Sequence, residues 1–138
     1  VQIGINDLKA IGYMDRNPEE IISETKRALA AIHRTLKKNE VRVFVSTILP
    51  PGPVSLARSL IWSDEIRDAV AAVNEALVSG HLMTVDDVVD FGTLLGTPCE
   101  TEAIHSSDAL HLNQSGYVIL DDFLIERIST RRRMNDAL

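Results

Sequence analysis

The sequence is poor in cysteine, in basic residues and in long apolar runs. One cysteine in 138 residues excludes an internal disulfide framework and a cysteine-based zinc ribbon. Lys and Arg number 14 against 20 Asp and Glu, a formal net charge of -6. That balance argues against a nucleic-acid surface, which needs a basic stripe. Arg131, Arg132 and Arg133 are the local exception, and they read as arginines complementing a helix end. No apolar run approaches the ~18 residues of a membrane span. No signal peptide, internal repeat or low-complexity stretch is visible, and nothing in the sequence assigns a location.

What is present is an ordinary globular mix, 45% apolar and 25% charged, at a length that suits one domain or part of one. The first residues, Val1-Gln2-Ile3-Gly4-Ile5-Asn6-Asp7, open directly on a β-branched run that stops at Asn-Asp. This reads as a strand over 1–5 entered partway along, with an element missing upstream, because bare strand edges invite pairing with other chains. A helix follows, with Asn17 as N-cap, Pro18 at the first helical position and Lys37 and Lys38 at its negative end. Val41 to Ile48 reads as a second strand, closed by Pro50, Pro51 and Pro53. Ser63 opens a second helix whose stripe is Ile66, Val70, Val73 and Leu77, with Gly80 as its stop. Val85 to Phe91 contains a third strand. A loop over 92–112 leads to a last helix from Gln114 to Ser129, with Tyr117, Leu120, Leu124 and Ile128 on one face.

Alternation of this kind predicts a parallel sheet flanked by helices. Right-handed crossovers place the first two helices on one face and leave the other to the last helix. In such sheets ligands bind beyond the carboxyl ends of the strands. That is where Asn6, Asp7, the proline loop and residues 92–112 fall.

The strongest local signal is Asp108-Ala109-Leu110-His111, just before the last helix. A carboxylate holding one imidazole nitrogen fixes the tautomer and frees the other nitrogen to take a proton from a nucleophile. On spacing alone, a loop histidine beside a helix-start aspartate reads equally well. Gly4-Ile5-Asn6-Asp7 resembles the Gly-x-Asn-Asp block of the SGNH (GDSL-type) hydrolases, and Asp108 to His111 resembles their Asp-x-x-His block. Leu112-Asn113-Gln114-Ser115-Gly116-Tyr117 resembles the run that opens their last helix, and Ile48-Leu49-Pro50-Pro51, Val73-Asn74 and Val89-Asp90-Phe91 fall in matching places.

The resemblance implies an α/β fold, a three-layer doubly wound parallel sheet of flavodoxin-like type. Residues 1–138 would be the C-terminal portion of that single domain and supply its last three strands with their helices. It implies His111 as general base and Asp108 as its orienting partner. Asn6 would donate to an oxyanion hole, Gly4 would permit close packing, and Asp7 would hold the Asn6 loop. No metal or organic cofactor is implied. The family's Gly-Asp-Ser nucleophile block is absent, and no Gly-x-Ser occurs anywhere in the chain. The expected activity is therefore ester hydrolysis through an acyl-enzyme, with the serine outside this chain. A missing N-terminal segment or a second chain would carry it, and this chain alone would be inactive. The competing expectation is a non-catalytic binding or assembly module that keeps the hydrolase fold.

Other polar residues read as structural. His105 reads as a loop residue, His33 lies beside an apolar helical stripe, and His81 follows Gly80 in a turn. Cys99 reads as an inert thiol. Glu100, Glu102, His105 and Asp108 match no metal-ligand spacing. Asp86, Asp87, Asp121 and Asp122 read as polar-face residues.

Overall fold

The computed structural model describes residues 1–49, 63–95, 104–106 and 111–135. Two helices form its frame. Helix α2 (Pro18–Lys38) is capped by Asn17, whose side-chain oxygen accepts from the Glu19 N–H at 2.9 Å. Glu19 and Glu20 sit at its positive end and Lys37 and Lys38 at its negative end, each favourable to the helix dipole. Its last turn closes in a Schellman arrangement. The Glu40 N–H donates to the Leu36–Lys37 turn at the Lys37 carbonyl (3.0 Å), and the Val41 N–H reaches the Leu36 carbonyl (3.0 Å). Glu40 takes the left-handed position, φ 59°, that glycine usually occupies. Helix α3 (Asp64–Val78) buries Ile66, Val70, Val73 and Leu77 and is followed by Gly80 at φ 78°.

The sheet is smaller than the sequence predicts, and the expected three-layer doubly wound sheet of three strands is not what forms. The molecule is mostly helical, with one parallel pair of two-residue strands among the described residues. Strand β1 (Val45–Ser46) pairs with β2 (Val88–Val89) in the register Val45 with Val88 and Ser46 with Val89. Each shortfall has a local cause. Residues 1–5 do not make a strand because Gly4, at φ 117°, turns the chain into helix α1 (Ile5–Lys9). Val1 alone keeps strand-like bonds. Its nitrogen donates to the Phe44 carbonyl at 2.6 Å, and its carbonyl accepts from the Ser46 N–H at 3.0 Å. The predicted 41–48 strand loses its start because the α2 cap captures the Val41 N–H. The predicted 85–91 strand is trimmed at both ends, by a 3₁₀ turn over Val85–Asp87 and by helix α4 (Phe91–Leu95). Asp90 starts α4, its carboxylate accepting from the Gly92 N–H at 3.0 Å, as an N-cap does. The last helix, α5 (Gln114–Asn135), runs six residues beyond the predicted end at Ser129.

Two apolar cores flank the strand pair. The first joins Leu8 and Ile11 to Ile21 and Leu29 of α2, the α3 stripe, and Val45 and Val88 of the strands. The second gathers Val89, Phe91, Ile104, Leu112 and Leu120. Neighbouring Val88 and Val89 thus enter different cores, as the two-residue period of a strand requires. Among the described residues no helix is long and apolar enough to cross a membrane.

Candidate functional site

A cavity of about 500 Å³ opens where the chain start, the end of β1 and the start of α5 meet. Gly4, Asn6 and Asp7 line it from the α1 side, Ile48 and Leu49 from the segment after β1, and His111 and Tyr117 from the α5 side. Asn6 and His111, far apart in the chain, therefore share one wall system. Both are exposed, as is Asp7 in the first turn of α1. Asp108 lies outside the described residues, as do Cys99 and Pro50, Pro51 and Pro53 of the proline loop.

Local structure accounts for how each part is held. Gly4 is buried, with φ 117° favouring glycine. A Cβ there would come within 3.1 Å of Ile48 Cδ1 and 3.4 Å of Thr25 Cγ2. The absent side chain lets the segment leading to Asn6 lie directly on the Ile48 side chain and on α2. Ile48 is itself fixed by Asn74 of α3. The Asn74 carboxamide accepts from the Ile48 N–H at 2.7 Å and donates to the Ile48 carbonyl at 2.9 Å. It replaces the two bonds that a neighbouring strand would have made. The sequence held a signal for this: Asn74 continues the i, i+4 row of Ile66 and Val70 as a polar residue in an apolar stripe.

His111 is carried on a small antiparallel brace. His105 bridges Leu112, the Ser106 N–H donates to the His111 carbonyl at 2.8 Å, and the Asn113 N–H donates to the Ile104 carbonyl at 2.7 Å. Asn113 then caps α5, its side-chain oxygen accepting from the Gly116 N–H at 3.0 Å while its amide donates to the His105 carbonyl at 3.3 Å. Gly116 is required by contact. A Cβ there would stand 2.6 Å from the Ile104 carbonyl oxygen and 2.9 Å from Leu112 Cβ. The Asn113-x-x-Gly116 spacing is thus a cap and a close approach in one turn, and both fix the histidine against the helix start. Tyr117 is a residue the sequence misplaced. It lies half-exposed on the cavity wall, whereas Leu120, expected on the same face, is buried in the second core.

A second polar cluster lies outside this cavity's lining. His33 Nε2 donates to the Asp87 carboxylate at 2.9 Å, and Lys37 Nζ stands 3.2 Å from the same oxygen. Asp87 is buried, not on the polar face the sequence suggested. Burial pushes its carboxyl up, but His33 and Lys37 more than offset this and hold it below the ordinary aspartate value. Among the described residues no three His, Cys, Asp or Glu side chains group as a metal site. No family model, curated protein or solved structure matches the chain.

Proposed function

We propose that this chain supplies the general base and one oxyanion donor of a serine ester hydrolase whose nucleophile lies on a separate segment or chain. The observation that carries the reading is the shared cavity: Asn6 and His111 line it together, beside the glycine that turns the chain into α1. A serine hydroxyl attacks the ester carbonyl carbon while His111 takes its proton. The tetrahedral oxyanion receives the Asn6 amide N–H. The C–O bond to the alcohol breaks, with His111 returning the proton to the leaving oxygen. Water, deprotonated by His111, then releases the acid and restores the serine. By the family resemblance, Asp108 would hold the imidazole in the required tautomer. No step calls on a metal or an organic cofactor.

Assay of p-nitrophenyl acetate with the complete polypeptide tests this. Asn6→Ala is expected to lower kcat by about 10²–10³, the usual loss for one oxyanion donor. His111→Ala is expected to abolish measurable turnover, and undiminished turnover in that variant would remove the base from the mechanism. A fluorophosphonate gel is expected to label the segment carrying the serine. Strong serine-reagent-sensitive activity of the isolated 138 residues would overturn the division of labour.

A further inference from the structure

We infer that the cavity selects uncharged carbonyl ligands bearing an apolar chain longer than acetyl, and rejects anionic ones. The inference names the substrate class of the proposed hydrolase and rests on that reading for its reaction. Five of the lining side chains, Ile3, Ile5, Ile48, Leu49 and Tyr117, are apolar or aromatic. Ile3 and Tyr117 are 48% and 44% exposed, so the cavity presents large apolar surface to water unless a ligand covers it. About 500 Å³ lies within the size range of small-molecule pockets and is far more than an acetyl group fills.

The electrostatics point the same way. Among the described residues no Lys or Arg lines the cavity, and Asp7 is its one carboxylate. A carboxylate, phosphate or sulfate group on the ligand would face Asp7 with no cation among the described lining residues to offset it. The Asn6 amide, by contrast, offers an N–H that a neutral carbonyl oxygen accepts. Beside Gln2, Asn6, Asp7 and His111, the other described lining side chains present mainly hydrocarbon.

Equilibrium binding separates this from the hydrolase reading, which turnover tests. The full chain, uniformly ¹⁵N- and ¹³C-labelled, is titrated with 2-octanone, acetone and octanoate while the Asn6 side-chain amide, His111 imidazole and Tyr117 ring signals are followed. Each methylene buried is worth about a four-fold change in Kd. 2-Octanone is therefore expected to bind at least ten-fold tighter than acetone, and at least ten-fold tighter than octanoate. Ile3→Glu, at a position 48% exposed, is expected to weaken 2-octanone at least ten-fold with the His33 and Asp87 signals unmoved. Octanoate or acetone binding as tightly as 2-octanone, or titration that leaves the Asn6 amide still, would overturn the inference. Saturable ketone binding to a protein that turns over no ester would uphold the ligand class and remove the reaction.

Discussion

Beneath α1, α2 and α3 the first core buries fifteen apolar residues, while the second core, beneath α5, buries five among the described residues. The helices differ in the same sense. α2 and α3 each bury a regular stripe, but α5 leaves Val118, Ile119, Ile125 and Ile128 exposed beside a buried Leu120. Among the described residues, one side is a body and the other is a helix laid across it. The cavity lies on the join, taking Gly4, Asn6 and Ile48 from the body and His111 and Tyr117 from the α5 side. Relative motion of the two sides would change the separation of base and amide donor without unfolding either. The thinner side therefore carries the residue whose placement matters most to the proposed chemistry.

The sharpest way to break this comparison is to empty one site in each core. Leu77 is fully buried in the first core and Leu120 is 5% exposed in the second. Leu77→Ala is expected to cost about 2–5 kcal/mol, the range for a buried leucine whose surroundings cannot collapse. Leu120→Ala is expected to fall at or below the bottom of that range, because α5, whose flanking Val118 and Ile119 are exposed, can settle inward. Urea denaturation followed by far-UV circular dichroism measures both. Equal losses would mean that the two cores are equally constrained.

The next largest effect concerns the polar tie within the body. Asp87 joins the turn before β2 to α2 through His33 and Lys37, with its carboxyl held below the ordinary aspartate value. A carboxyl whose folded pKa is depressed adds stability that is complete above its unfolded pKa of about 3.9 and is lost as pH falls through the folded pKa. Asp87→Asn is therefore expected to be destabilising at pH 7, by about 1–3 kcal/mol for a buried partner left poorly satisfied. The gap between the variant and the parent should close as pH drops below 4. Thermal melts across pH 7 to pH 3 read this directly, and a gap that widens in acid would reverse the assignment.

The body was legible in the sequence for a physical reason. Asn17-Pro18-Glu19-Glu20 and the Lys37-Lys38 end satisfy local rules that need no tertiary partner, and the Ile66, Val70, Val73 and Leu77 row repeats at the helical period. The strands were not legible to their ends. Their limits depend on competitors for backbone groups: the α2 cap takes the Val41 N–H, Gly4 diverts the first segment into α1, and Asp90 starts α4. β-Branched residues at 1–5 and 41–44 favour extended backbone but do not decide whether a neighbour pairs with it. The site was legible only in part. Gly4, Asn6 and His111 were singled out by motif and line one cavity, whereas the hold of Asn74 on Ile48 and the place of Tyr117 on the cavity wall depend on long-range packing. The burial of Asp87 depends on α2 lying against the turn before β2, which adjacent sequence does not express.

The smallest effect separates the two sides most cleanly, because the same chemistry occurs once on each. Asn17 caps α2 through the Glu19 N–H, and Asn113 caps α5 through the Gly116 N–H. Replacing either by Ala is expected to cost about 1 kcal/mol of stability, the usual value of an asparagine cap. Their consequences for the cavity should differ. Asn17 is far in sequence from any lining residue and contributes no wall, so Asn17→Ala should leave the His111 imidazole resonances and ketone affinity unchanged. Asn113 also donates to the His105 carbonyl, within the brace that holds His111. Asn113→Ala should therefore speed amide exchange at Ser106 and Asn113, broaden the His111 ring signals, and slow ester turnover of the complete polypeptide through kcat more than KM. If the two variants alter the His111 signals equally, the brace is not an independent unit. The histidine would then be positioned by the stability of the whole molecule.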